Sequence, residues 1–184
     1  MHKAVFLDRD GVINRGYLRD GKSYAPREVQ DFRLLPYAAS SIEKLRNNDY
    51  LVIVVTNQPD INNGLVDIDT INKMHFLLRK KTQINDIFLC PHSRNENCLC
   101  RKPKPGMILE AAKKYNINLQ ESFMVGDRAT DIEAGLEAGC RTIFLNRNYK
   151  EDKPKYQEKT CSSINSATNY IIFLNKKNNP NEKA

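Results

Sequence analysis

An α/β domain built on a three-layer, doubly wound parallel sheet is the fold class this sequence predicts. Three observations lead there. Continuous β-branched runs such as Leu51-Val52-Ile53-Val54-Val55-Thr56 have the look of strands buried on both faces. Segments with apolar residues at steps of three and four alternate with those runs along the chain. A length of 184 residues with 40% hydrophobic content suits one domain with its own core.

Each element follows in order. Residues 3–8 form a short apolar run ending in polar residues, a buried strand. Residues 37–48 carry Ala38, Ile42 and Leu45 on one face, a helix. Residues 51–56 are the central parallel strand. Residues 67–82 place Ile68, Ile71, His75 and Leu78 on one stripe, again a helix, with His75 read as a packed residue. Residues 86–90 form a strand. Pro105 suits the first turn of a helix whose buried stripe is Ile108, Leu109 and Ala112. Residues 122–126 form a strand, residues 131–138 a helix closed by Gly139, and residues 141–145 a further strand. Residues 164–175 supply the last helix. The single domain is expected to span 1–175, with 176–184 as a flexible polar tail rich in lysine and asparagine.

The composition bounds the function. No apolar run approaches the roughly 18 residues of a membrane span, and the N-terminus lacks the features of a secretory signal. The expectation is a soluble cytoplasmic protein with no membrane partner. Net charge is +7, from 29 Lys+Arg against 22 Asp+Glu, which suits anionic partners. Much of that excess lies near the C-terminus, so it argues weakly for nucleic acid, and none is expected as a partner.

In such folds ligands bind beyond the carboxyl ends of the strands. The polar residues that end the strands are Asp8 and Asp10, then Thr56 and Asn57, then Asp127. Asp8 and Asp10, two residues apart before Gly11, suit a nucleophile beside a general acid/base with a cation between them. Mg2+ takes oxygen ligands and commonly binds through one or two carboxylates plus phosphate. Thr56 and Asn57 offer a hydroxyl and backbone N–H groups to phosphoryl oxygens. Lys102, just before a helix, neutralises charge on a transferring group. Asp127 and Asp131 supply further acids for the metal.

A second cluster, Cys90-Pro91-His92 followed by Cys98-Leu99-Cys100, has the spacing C-x-H-x5-C-x-C. Four such ligands on one loop fit tetrahedral Zn2+ with no open position, hence a structural site. In a cytosolic chain the clustering argues for metal over disulfides. The loop is otherwise polar, so a metal would replace a core, and it leads directly to Arg101 and Lys102. Cys140 and Cys161 are read as unpartnered thiols.

The four segments DRDG at 8–11, VTN at 55–57, RKP at 101–103 and GDRATD at 126–131 resemble the motifs of the haloacid-dehalogenase-like (HAD) phosphatases. The resemblance covers roughly residues 3–146. It implies Asp8 as nucleophile and Asp10 as acid/base. It implies Mg2+ held by the Asp8 side chain, the Asp10 backbone carbonyl and Asp127, with Asp131 supporting the metal's water shell. Thr56 and Lys102 would position the phosphoryl group.

Neither 11–55 nor 58–89 leaves room for a cap domain. The site should be open, walled by 14–26, 58–65 and the zinc loop 90–100. This layout resembles the capless zinc-loop group of the superfamily, which includes heptose-1,7-bisphosphate 7-phosphatases and histidinol-phosphate phosphatases. FLDRDGVIN, VVTNQ and CRKPKPGM resemble the heptose enzymes most, while Asn62-Asn63 stands where those usually carry Ala-Arg. That resemblance implies a small phosphorylated sugar as substrate, removal of its 7-phosphate through an aspartyl-phosphate, and a place in heptose metabolism. It implies substrate contacts from Asn14, Gly16, Tyr17, Asn57, Gln58, Arg101 and Arg128. A bisphosphate also fits the extra cations Arg101, Lys104 and Arg128. The alternatives are a histidinol-phosphate phosphatase, a nucleic-acid 3′-phosphatase and a non-catalytic zinc-stapled binding module. A monomer is expected.

Overall fold

The computed structural model describes residues 1–178. Eight strands and five α-helices follow in order: β1 (Lys3–Leu7), β2 (Tyr17–Arg19), β3 (Lys22–Tyr24), α1 (Ala38–Arg46), β4 (Tyr50–Asn57), α2 (Ile68–Lys81) and β5 (Asp86–Cys90). The second half contributes α3 (Gly106–Tyr115), β6 (Phe123–Gly126), α4 (Ala129–Glu137), β7 (Arg141–Leu145), β8 (Lys159–Cys161) and α5 (Ile164–Asn178).

Six strands form one parallel sheet in the order β5-β4-β1-β6-β7-β8. Val5 of β1 pairs with Val52 of β4 on one side and with Phe123 of β6 on the other. Alternation along β1 divides the core. Val5 and Leu7 face one layer with α1, α2 and α5, through Ile42, Leu45, Met74, Leu78 and Ile171. Ala4 and Phe6 face the opposite layer with α3 and α4, through Met107, Ile108, Ala111 and Ala134. Burial on both faces is why these strands read as unbroken apolar runs. The chain leaves β1 towards β4 and β5, then returns to β6 on β1's other side. The crevice between the ends of β1 and β6 is therefore the switch point of the winding.

Most expected elements fall within a residue or two of their positions. Pro105 lies one residue before α3, as its N-cap. The last helix runs past 175 to Asn178, so Lys176 and Lys177 sit in its last turn, and 179–184 of the expected tail lie outside the described residues. Two elements escaped the sequence reading. One is the edge strand β8, only three residues long. The other is the β2–β3 hairpin, inside what was expected to be a plain loop at 14–26. Its turn is Asp20-Gly21, with φ of 54° and 83°. A two-residue turn with both φ positive matches the twist of paired strands and selects Asp-Gly, so the signal was present. No helix among the described residues is long and apolar enough to cross a membrane.

Leu45 of α1 is fully buried, whereas Leu136 of α4 is 41% exposed. Leu45→Ala should lower unfolding free energy by about 2–5 kcal/mol. Leu136→Ala should change it by no more than about 0.5 kcal/mol. Urea denaturation of the two variants checks this contrast.

Candidate active site

The strand ends deliver the acids to one place. Asp8 follows β1, and its backbone N–H donates to the Val125 carbonyl of β6 at 3.0 Å, which carries the pairing to the crevice rim. Asp127 follows β6. Carboxylate oxygens of Asp8, Asp127 and Asp131 lie within 4.8 Å of one another, and all three residues are buried. Burial, with Asp131 and Asp10 nearby, lifts Asp8 to about 6 despite the opposing pull of Lys102. Burial and the neighbouring Asp8 and Asp131 push Asp127 well above the usual carboxylate range. Crowded, desolvated acids resist joint ionisation unless a cation lies among them.

Lys102 answers part of that demand. Its Nζ donates to Asp8 Oδ1 at 2.6 Å and to the Val55 carbonyl at 2.8 Å, and pairs with Asp131 Oδ1 at 2.6 Å. Burial alone would discharge the ammonium; Asp131 and Asp8 overcome that and hold its pKa above the ordinary lysine value. Asn57 fixes the Lys102 backbone from both sides, donating to its carbonyl and accepting from its N–H, each at 3.1 Å.

Asp131 is held from two sides. Its Oδ2 accepts from the backbone N–H groups of Asp127 and Arg128 at 3.1 and 3.0 Å, while Oδ1 binds Lys102. It sits in the first turn of α4, where unpaired amides favour a carboxylate. Both oxygens have partners within the protein, so Asp131 orients Lys102 and the β6–α4 turn while standing in the same acidic group as Asp8 and Asp127. Asp127 is the opposite case: both of its oxygens are buried without a hydrogen-bond partner. Orphaned, desolvated carboxylate oxygens fit a metal ligand.

Asp10 stands outside this cluster, in a hydrogen-bonded frame of its own. Arg9 Nε and Nη2 donate to it at 3.2 and 3.1 Å, Asn14 Nδ2 at 2.8 Å and Gln58 Nε2 at 2.7 Å. Burial would raise its pKa, but the Arg9 charge and these donors hold it below the ordinary value. Arg9 is itself fully buried, over the Phe32 ring, with Nη1 bonded to His75 Nε2 at 3.0 Å. Burial and the Arg9 charge push His75 down to about 3, so it stays a neutral acceptor. The packed reading of His75 holds, with a polar purpose added. Arg9 was missed, although its place between two aspartates is the signal that marks it.

Four catalytic candidates, Asp8, Asp10, Thr56 and Lys102, thus surround one crevice with Asp127. The substrate candidates divide. Gln58 is 1% exposed and bridges Asp10 to Thr56 Oγ1, at 2.8 Å from the hydroxyl. Asn14 is fully buried beneath Asp10. Both were expected at the substrate; the structure instead spends their amides on Asp10, which a buried carboxylate requires. Gly16 and Tyr17 lie at the hairpin, with the Tyr17 hydroxyl donating to the Asp31 carbonyl at 3.3 Å. Arg128 reaches the Ser23 carbonyl of the hairpin and pairs with Glu151 at 3.5 Å. Arg101 folds back to the His92 carbonyl at 2.9 Å, and Lys104 to Asn97 Oδ1 at 2.7 Å.

The second cluster also assembles. Cys90 Sγ lies 3.6 Å from Cys98 Sγ and 3.5 Å from His92 Nδ1. Cys100 Sγ lies 3.5 Å from Cys98 Sγ and 3.3 Å from His92 Nδ1. A zinc tetrahedron with metal–sulfur bonds of about 2.3 Å has edges of about 3.8 Å, so the four atoms stand nearly where such an ion would hold them.

Comparison with known proteins agrees with this geometry. A family model described as HAD-hydrolase-like matches residues 99–163. The chain is 38% identical over 154 residues to a D-glycero-beta-D-manno-heptose-1,7-bisphosphate 7-phosphatase of Helicobacter pylori, covering 78% of this chain and 83% of that one. It is 37% identical over 161 residues to the corresponding alpha-anomer enzyme of Photorhabdus laumondii, covering 78% and 81%. Among solved structures, the D,D-heptose 1,7-bisphosphate phosphatase of B. bronchiseptica, complexed with magnesium and phosphate, superposes with a TM-score of 0.82 at 28% identity, covering 94% of this chain and 99% of that one.

Gly11, at φ +88°, has no room for a side chain: a Cβ there would fall 1.8 Å from Asp127 Oδ2. Gly11→Ala should displace Asp127 and lower turnover of a generic aryl phosphate by about 100-fold, the scale of an ångström-level misplacement. Steady-state kinetics, with circular dichroism as a folding control, checks it.

Proposed function

Because this chain belongs to the D-glycero-D-manno-heptose-1,7-bisphosphate 7-phosphatase family of HAD-like hydrolases, we propose that it removes the 7-phosphate of a heptose 1,7-bisphosphate through an aspartyl-phosphate on Asp8. The observation that carries the reading is the meeting of Asp8, Lys102 and the bare carboxylate of Asp127 at the switch point of the sheet. Three buried carboxylates, those of Asp8, Asp127 and Asp131, and the partly buried Asp10 face two buried cations, Arg9 and Lys102. A divalent cation offsets the difference and completes a site for a phosphate dianion.

In this reading Asp8, the Asp10 backbone carbonyl and Asp127 hold Mg2+. When bound, the ion neutralises charge on the phosphoryl oxygens. An Asp8 oxygen forms a bond to phosphorus while the bond from phosphorus to the sugar oxygen breaks. Asp10, once it has taken up a proton, gives it to that oxygen. In the second half a water attacks the phosphorus and Asp10 takes its proton, releasing phosphate and restoring Asp8. Lys102 offsets charge on Asp8 and on the group being transferred, and Thr56 offers its hydroxyl to a phosphoryl oxygen. Arg9, His75, Asn14 and Gln58 keep Asp10 in place.

The Cys90, His92, Cys98 and Cys100 set is read as a structural zinc site. The loop it closes carries Arg101, whose bond to the His92 carbonyl ties the cation to the metal's own ligand. Asn62 ties a second wall to the same loop through Glu96 at 2.9 Å.

Two outcomes are expected. Asp8→Asn should lower turnover by about 1,000-fold or more, while wild type should favour heptose 1,7-bisphosphate over histidinol phosphate in kcat/KM by at least about tenfold. Assays on both anomers and on histidinol phosphate, with phosphorus NMR to locate the phosphate lost, measure this; equal or reversed preference rejects the heptose assignment. Removing zinc by chelation, with Mg2+ restored, should raise KM and lower the melting temperature while kcat changes little. Unchanged KM in the zinc-free protein rejects the role given to the loop.

A further inference from the structure

The segment between β7 and β8 is left unused by the chemistry above, yet it reaches the crevice. Tyr149, half-buried, projects from it with its hydroxyl beside both the Asp127 carboxylate and the Ser23 side chain. The hydroxyl makes no hydrogen bond to Asp127 in this arrangement, and both Asp127 oxygens stay open to a ligand. The approach is close from every side. A Cβ on Gly11 would lie 2.8 Å from the Tyr149 hydroxyl and 1.8 Å from Asp127 Oδ2, so the three groups meet where only glycine fits. Asp127, Arg128, Tyr149 and Glu151 line one narrow cleft.

The surrounding segment is held firmly at this point. Arg147 Nε donates to the Gly11 carbonyl at 2.8 Å and its Nη1 to the Ser162 carbonyl at 3.1 Å. The Lys150 N–H donates to the Gly21 carbonyl in the hairpin turn at 2.8 Å. Arg128, next to Asp127, reaches both Ser23 and Glu151. The tyrosine ring is therefore fixed between the hairpin and the strand end, with its one polar atom aimed at the orphaned carboxylate.

We propose that Tyr149 is a positioning residue for Asp127, setting which carboxylate oxygen meets the cation, and that Ser23 in turn sets the Tyr149 hydroxyl. The proposal rests on the reading of Asp127 as a magnesium ligand. Hydrogen bonds to a ligating carboxylate fix its orientation and basicity, so a hydroxyl placed to donate to Asp127 once the ion is bound is worth about 10–100-fold in metal affinity or activity. The hairpin thereby becomes part of the metal site without touching the ion.

The test titrates MgCl2 into the zinc-loaded full chain by calorimetry, alongside kinetics over a range of Mg2+ concentrations. Tyr149→Phe keeps the ring and removes the hydroxyl. It should weaken Mg2+ binding by about tenfold and raise the half-saturating Mg2+ concentration by the same factor, with kcat at saturating Mg2+ within about twofold of wild type. Ser23→Ala should shift affinity in the same direction by less. Wild-type Mg2+ affinity in Tyr149→Phe overturns the proposal, whether kcat is kept or lost. Asp127→Asn separates the two levels. If wild type binds Mg2+, Asp127→Asn does not and Tyr149→Phe matches wild type, this inference alone fails. If wild type takes up no Mg2+, the magnesium reading fails and this inference with it.

Discussion

Three carboxylates gathered out of water at the ends of two adjacent strands, with a fourth, Asp10, beside them, set the terms for everything around them. Like charges at that separation in a poorly solvated crevice repel strongly, and each must be paired or left protonated. The structure pairs them unequally. Asp131 has both oxygens satisfied by Lys102 and backbone amides, and Asp10 is enclosed by Arg9, Asn14 and Gln58. Asp8 shares Lys102, and the Asp127 oxygens have no hydrogen-bond partner among the described residues. That gradient holds Asp10 and Asp131 in fixed orientations and leaves Asp8 and Asp127 open to an added ligand.

Supporting such a cluster consumes polar side chains. Asn57 and Gln58 occupy a strand end, a position that in many α/β sheets faces the ligand, and Asn14 lies in the loop after β1. Here each is committed to Asp10, Thr56 or the Lys102 backbone. Reactive groups held by packed, hydrogen-bonded neighbours need little reorganisation when substrate arrives. The outer walls of the crevice are the hairpin at 17–24 and the loop at 90–100. Neither is built on a core: one rests on paired strands and a two-residue turn, and the other gathers four side chains that could hold a metal ion around one point.

The buried Arg9 shows how far this support extends. A guanidinium wholly removed from water must satisfy its donors, and it does so on Asp10 and on a histidine of α2. Helix packing in the α1, α2 and α5 layer is thereby connected to the orientation of one carboxylate at the crevice. The same logic joins the β7–β8 segment to Asp127 through Tyr149.

Legibility in the sequence followed the range of the interactions. Strand and helix positions were readable because burial on both faces of a parallel sheet leaves apolar runs, and burial on one helix face leaves a stripe; both are local patterns. The zinc loop was readable because its four ligands lie within eleven residues. Asp8, Asp10 and Asp127 were readable as candidates because strand ends are where α/β sheets place ligands, and Lys102 because a cation stands just before a helix. The hairpin was written in Asp20-Gly21 and passed over amid loop-like residues. What no local pattern carried was the division of labour. Asn14 and Gln58 became supports, Asp131 became the partner of a lysine 29 positions earlier in the chain, and Tyr149 came to lie against Asp127. Those assignments depend on which groups meet in three dimensions and on how much water each loses, and the order of residues along a chain specifies neither directly.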